Sequence, residues 1–149
     1  MSALSTTIAT VMQQKSGVIW SIGPGASVYS AIELMADKGI GALLVMEKGE
    51  LLGILSERDY ARKIMLQGRS SKDTLVAEIM SSPVVCVSMR HTVGECMRVI
   101  TDNRIRHLPV MQNDTVVGVV SIGDLVNWVI REQEFTIRHL EAYISGMAS

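Results

Sequence analysis

Gly53-Ile54-Leu55-Ser56-Glu57-Arg58-Asp59 and Gly118-Val119-Val120-Ser121-Ile122-Gly123-Asp124 stand 65 positions apart, and they close two longer segments that align without a gap, residues 27–59 against 92–124. Val28, Asp37, Ile40, Leu43, Val45, Met46, Gly53, Ser56 and Asp59 meet identical residues at Val93, Asp102, Ile105, Leu108, Val110, Met111, Gly118, Ser121 and Asp124. The other apolar positions mostly exchange like for like, as Ile54-Leu55 against Val119-Val120. Upstream, Val11-Met12 resembles Ile79-Met80, but the first copy carries about three extra residues around Lys15-Ser16-Gly17. Self-similarity over this length marks one supersecondary unit written twice.

Each copy reads in the same order. A short extended piece, residues 18–22 or 84–87, comes first. A helix follows, with Val28, Ala31, Ile32 and Met35 at i, i+3, i+4, i+7, and Val93, Cys96, Met97 and Ile100 likewise. Thr92-x-x-Glu95 has capping-box spacing at the start of the second of these helices. Two apolar runs then flank a polar turn, residues 42–46 and 51–55 around 47–50, and residues 108–111 and 116–120 around 112–115; that pattern predicts a hairpin. A second helix starts near Glu57 and near Ile122. The expected fold is α/β of the α+β kind, two tandem β-α-β-β-α repeats related by pseudo-twofold symmetry. The expected divisions are residues 8–66, 74–132 and a C-terminal helical extension over 133–149, with a linker over 67–73 broken by Gly68, Ser70 and Ser71. A unit of about 60 residues buries too little surface to be comfortable alone. Packing the copies face to face remedies this, and it would place equivalent residues around a cleft between them, a frequent kind of ligand site. In the final helix Leu125, Trp128, Val129, Phe135 and Leu140 are the apolar positions; they suit equally a cap over the core and a dimer contact.

Composition narrows the function classes. The chain has 149 residues, 48% of them hydrophobic, a formal net charge of −1 and a single Phe, which disfavours a general nucleic-acid binder. No apolar stretch approaches the roughly 20 residues that a membrane helix needs. The first 14 residues lack the basic start and apolar run of a secretory signal, so a cytoplasmic location is expected. Cys86 and Cys96 lie in no metal-ligand spacing, and no metal site is expected.

The paired Gly…Ser-x-x-Asp stretches resemble the strand-to-helix signature of CBS domains, and the duplication resembles a CBS pair, or Bateman module, over about residues 8–132. The resemblance implies a stand-alone regulatory module that binds an adenosine nucleotide (AMP, ADP, ATP or NAD), has no catalytic cofactor, forms a homodimer and signals to an effector protein of unknown identity. The chemistry of the motif agrees. Glycine at a strand end lets a ligand approach the backbone. Serine then opens a helix whose N–H groups and dipole favour a phosphate. Aspartate three residues on has two acceptor oxygens for a ribose diol. Ser-x-x-Asp is also close to an ordinary capping box, the simpler reading of any single instance. Two instances at equivalent places, together with the resemblance, favour the ribose reading.

By the same resemblance, one site combines Gly17, Val18, Ile40, Gly41 and Ala42 with Arg106, His107, Ser121 and Asp124. Arg106 is the better fork for phosphate oxygens; the alternative is a solvated basic turn. The mirror site combines Ser56, Arg58 and Asp59 with Pro83, Val84 and Ile105. Lys63, one turn beyond Asp59, either reaches the phosphates there or is an ordinary surface lysine. Gly123 stands where the first copy has Arg58, so the two sites are expected to be chemically unequal. Two rivals remain: an oligomerisation module without ligand, and a nucleotide-using enzyme. His91, His107 and His139 match no catalytic spacing, and Gly39-x-Gly41 precedes a strand and lacks the third glycine of a dinucleotide fingerprint, so no catalytic residue is assigned.

Overall fold

The computed structural model describes residues 2–15 and 17–148, the last two through their backbone. Helix α1 spans Ile8–Gln13 and strand β1 spans Ser21–Ile22. Helix α2 (Val28–Lys38), strands β2 (Ala42–Glu47) and β3 (Glu50–Ser56) and the short helix α3 (Glu57–Tyr60) complete the first copy. Helix α4 (Val76–Ile79), strand β4 (Val87–Ser88), helix α5 (Val93–Asn103), strands β5 (His107–Gln112) and β6 (Thr115–Ser121) and helix α6 (Ile122–Ala148) follow. The result is the expected mixed α/β architecture with two three-stranded sheets, ordered β1-β2-β3 and β4-β5-β6. The opening strands are shorter than the extended stretches suggest. Only two residues of each pair with the sheet, β1 running parallel to β2.

Both hairpins turn on two residues with positive φ, Lys48 (51°) and Gly49 (80°) in one, Asn113 (52°) and Asp114 (63°) in the other. This is the turn whose twist matches a hairpin. The helices end alike too: Gly39 at φ 65° closes α2 and Arg104, 65 positions on, takes φ 54° to close α5. The capping box at α5 forms, with the Thr92 amide donating to Glu95 Oε1 at 3.0 Å and the Glu95 amide donating to Thr92 Oγ1 at 3.1 Å.

Two compact units form, and each draws on both copies of the sequence. One comprises Met1–Gly17, Val87–Val110 and Gly118–Ser149, the other Val18–Cys86 and Met111–Val117. The short helix at the head of each copy therefore docks with the other copy. In the first unit the Ile8 amide donates to His91 O (2.8 Å) and the Val93 amide to Thr6 O (2.8 Å); in the second, the Val76 amide donates to Ala26 O (2.8 Å) and the Val28 amide to Thr74 O (2.8 Å). Residues expected to be a plain linker take part, since the Tyr29 amide donates to Ser71 O at 2.9 Å and the buried Thr74 hydroxyl to Ser70 O at 2.7 Å.

The core of the second unit is Val28, Ala31 and Met35 of α2 against Leu43, Val45 and Leu55 of the sheet, with Ile64, Val76 and Ile79. In the first unit Ile8, Val11, Val93, Cys96, Ile100, Leu108, Val120, Leu125 and Trp128 are buried. The buried residues of helix α6 lie in its first two turns, Leu125 and Trp128, and residues 133–146 are all exposed, Phe135 and Leu140 among them.

Candidate functional site

The two glycines of the repeated signature have a different role from the one their sequence position suggests. Gly53 and Gly118 lie inside β3 and β6, three residues before each strand ends. A Cβ on Gly53 would meet Met80 Sδ at 2.6 Å and Ser81 O at 3.0 Å; one on Gly118 would collide with Met12 Cε. The close approach to the backbone is made by a methionine from the docked helix segment, not by a ligand.

Beyond each strand the chain passes straight into a helix. In the first unit the Ser121 amide donates to Asp124 Oδ2 (2.8 Å) and the Asp124 amide donates to Ser121 Oγ (3.1 Å). In the second, the Ser56 amide and hydroxyl both donate to Asp59 Oδ2 (3.0 Å each), and the Asp59 amide donates to Ser56 Oγ (3.2 Å). Both Ser-x-x-Asp elements thus form reciprocal caps. This geometry holds each carboxylate over the helix start, where the unsatisfied amides and the dipole favour negative charge.

A lysine reaches each carboxylate. Lys15 Nζ donates to Asp124 Oδ2 at 2.5 Å and also to the carbonyl of Val119. Lys63 Nζ lies 3.4 Å from Asp59 Oδ1 and donates to Ile79 O at 2.8 Å, while the Ser81 hydroxyl donates to the same Oδ1 at 3.2 Å. Lys63 sits in a wide π-type turn, Ala61–Met65, in which the Leu66 amide bonds back five residues to Ala61 O. Such turns recur at functional sites. Burial by itself would raise the Asp124 carboxyl, but the Lys15 ammonium and the Ser121 amide outweigh it and hold the group below its ordinary range.

The remaining expected site residues distribute by unit. Arg106, His107, Ile105, Ser121, Asp124 and Gly17 belong to the first; Val18, Ile40, Gly41, Ala42, Ser56, Arg58, Asp59, Lys63, Pro83 and Val84 belong to the second. Within each unit the entry to the hairpin is tied to the helix start by one backbone bond. The Ile122 amide donates to Arg106 O at 2.9 Å, and the Glu57 amide donates to Gly41 O at 3.0 Å. Arg106 is exposed and His107 half-buried. Lys15 and Ser81 were not legible as site residues. The one signal for Lys15 was the insertion at residues 15–17, which the repeat alignment isolates without giving it a role; for Ser81 it was the place directly after Met80. Among the described residues, no group of three or more His, Cys, Asp or Glu could hold a metal, and no helix is long and apolar enough to cross a membrane. Cys96 is buried, and that burial, with Glu95 beside it, pushes its thiol up to about 11.

Comparison with known proteins agrees with this geometry. The family model for the CBS domain matches twice, over residues 8–66 and 76–131. A CBS domain-containing protein of Arabidopsis thaliana, CBSX3, mitochondrial, is 42% identical over 152 residues, covering 95% of this chain and 73% of that protein. The CBS domain-containing protein YhcV of Bacillus subtilis is 30% identical, covering 84% of each chain. The solved structure of a putative signal-transduction protein with CBS domains from Burkholderia ambifaria MC40-6 superposes with a TM-score of 0.84 at 47% identity, over 86% of this chain and 96% of that one. Two family matches that together span most of the chain, on a fold with two like sheets and two like strand-to-helix junctions, make this chain a member of the CBS-domain family, carrying the domain as a tandem pair of the Bateman type.

Proposed function

We propose that this chain is a non-catalytic regulatory module that binds an adenosine nucleotide — AMP, ADP, ATP or NAD — through its Ser-x-x-Asp elements and passes the occupancy on through a second copy of itself or an effector protein. The observation that carries this reading is the Asp124 carboxylate. It is held ionised at the N-terminus of a long helix, and its bonds from Lys15 and Ser121 both fall on Oδ2. Neither of these two bonds falls on Oδ1, to which a ribose hydroxyl would donate, and the dipole of α6 favours a phosphate near its start. Arg106 and His107, at the head of the adjoining strand β5, supply further donors for phosphate oxygens. The adenine-lining role of Ile40, Gly41 and Ala42, with Gly17 and Val18, and the mirror role of Arg58, Pro83, Val84 and Ile105 belong to the same reading. The exposed apolar side chains of outer α6 support the homodimer.

The experiment is a thermal-shift panel of AMP, ADP, ATP, GMP, NAD and S-adenosylmethionine. A ligand at 100 times its dissociation constant adds about 2.7 kcal/mol of stability, an easily measured shift in midpoint. At least one adenosine ligand is expected to shift the wild-type chain, and Asp124→Ala is expected to lose the shift while remaining folded. A flat panel refutes the reading, as does an Asp124→Ala variant that keeps the full shift. Turnover of ATP or NAD would restore the enzyme alternative.

A further inference from the structure

The two carboxylates receive their lysines from unrelated places in the chain. Lys63 is four residues beyond Asp59 on the same element. The equivalent of Lys63 in the second copy, 65 positions on, is Trp128, which is 9% exposed and whose indole Nε1 has no hydrogen-bond partner among the described residues. The second copy thus carries an apolar side chain where the first has its helical lysine. An ammonium reaches Asp124 nevertheless, from Lys15, which lies 109 residues away in sequence and in the insertion that the other copy lacks.

The two arrangements match in what each ammonium touches, though not in the oxygen: Lys15 shares Asp124 Oδ2 with the Ser121 amide, whereas Lys63 faces Asp59 Oδ1 and Ser56 takes Oδ2. Each ammonium pairs with the carboxylate and is anchored on a backbone carbonyl, Val119 O for Lys15 and Ile79 O for Lys63. Each lysine side chain is about one-third exposed, at 33% and 38%. A lysine has three N–H donors; Lys15 uses two of them in hydrogen bonds, and Lys63 uses one, with Asp59 at ion-pair distance. The same placement reached by two different routes indicates that the position itself is under demand.

We propose that Lys15 is a specificity-determining residue of the Asp124 site and the counterpart of Lys63 at the Asp59 site: the remaining N–H of each ammonium binds a phosphate oxygen of the nucleotide whose ribose the neighbouring aspartate holds. This rests on the nucleotide reading above and deepens it. The two sites, unequal in Arg58, Arg106 and His107, are alike in this lysine–aspartate pair. The pair selects a ribose that carries a phosphate over a bare nucleoside.

The test is calorimetric titration of the full chain with AMP and, separately, adenosine, for the wild type, Lys15→Met, Lys15→Arg and Lys63→Met. Lys15→Met is expected to weaken AMP binding at one site at least tenfold while changing adenosine affinity less than threefold. Lys63→Met should do the same at the other site, and Lys15→Arg should recover most of the AMP affinity. Circular dichroism melting checks the fold of each variant, and Lys15→Gln replaces Lys15→Met if the latter unfolds. Unchanged AMP affinity in Lys15→Met, or equal losses for AMP and adenosine, overturns the assignment and leaves the nucleotide reading standing. Failure of the wild-type chain to bind either compound overturns the assignment, and the nucleotide reading falls with it only if the whole thermal-shift panel is also flat.

Discussion

Replacing Gly53 by alanine tests how the two units are built, because it asks what the signature glycine is for. The new methyl would lie 2.6 Å from Met80 Sδ, 2.9 Å from Met80 Cγ and 3.0 Å from Ser81 O. Carbon contacts are comfortable at about 3.5–4 Å, so the overlap with the thioether is about 1 Å. The Met80 chain cannot simply swing clear, because Cγ is involved as well as Sδ. Ser81 O is held in place by the paired bonds between Ser81 and Ile54, at 2.8 and 3.1 Å. Overpacking of this kind costs about 1–3 kcal/mol. The gain from replacing a strand glycine by alanine, about 0.5–1 kcal/mol, offsets part of it. Contact with two thioether atoms and a fixed carbonyl at once places the cost in the upper half of that range, about 2–3 kcal/mol, so a net loss of about 1–2.5 kcal/mol is expected. Gly118→Ala is the internal control. Its methyl meets the terminal methyl of Met12, with Sδ already at 3.4 Å, and the end of a flexible thioether chain moves cheaply. That variant should lose less than about 1 kcal/mol. Equilibrium urea unfolding, read at a common m-value, gives the comparison. A double-mutant cycle with Met80→Ala should show Gly53→Ala costing less once the thioether is gone. The reasoning fails if Gly53→Ala lies within about 0.5 kcal/mol of the parent, if Gly118→Ala is the costlier of the two, or if the cycle shows no coupling.

Two further expectations concern single sites. Gly39→Ala should cost about 1 kcal/mol in urea unfolding, since φ is 65° there and nothing lies within 4 Å of the added carbon, so only the left-handed backbone is penalised; an unchanged midpoint would remove that account of the α2 terminus. Asp124 has its folded pKa depressed, so its stabilisation is complete above its ordinary value near 3.8 and is lost as pH falls through the lowered folded value. Asp124→Asn should therefore flatten the acid limb of a melting-temperature profile between about pH 5 and 2 relative to the parent, and parallel acid limbs would contradict the Lys15–Asp124 pairing.

Local physics made the repeat unit readable from the chain alone. The helices α2 and α5 follow from apolar spacing, and both hairpins from apolar runs around polar turns. The capping box at Thr92 and Glu95 needs only residues three apart. The Ser-x-x-Asp elements were equally visible, because an aspartate at that spacing must lie over the helix start. What remained hidden depends on contacts between distant segments. No local rule says that α1 docks with the second copy and α4 with the first; that follows from which apolar face each short helix covers. The same exchange gives Gly53 and Gly118 their purpose, because the methionines that fill their space come from those docked segments. It also brings Lys15 to Asp124. A lysine in an inserted loop carries no periodicity that points to a partner, whereas Lys63 could be placed by counting one helical turn. Sequence thus determined the two repeats and their carboxylates, through interactions within a few residues. Only the tertiary structure decided which helix completes which unit and which ammonium serves which aspartate, because those pairings depend on proximity in space between residues far apart in the chain.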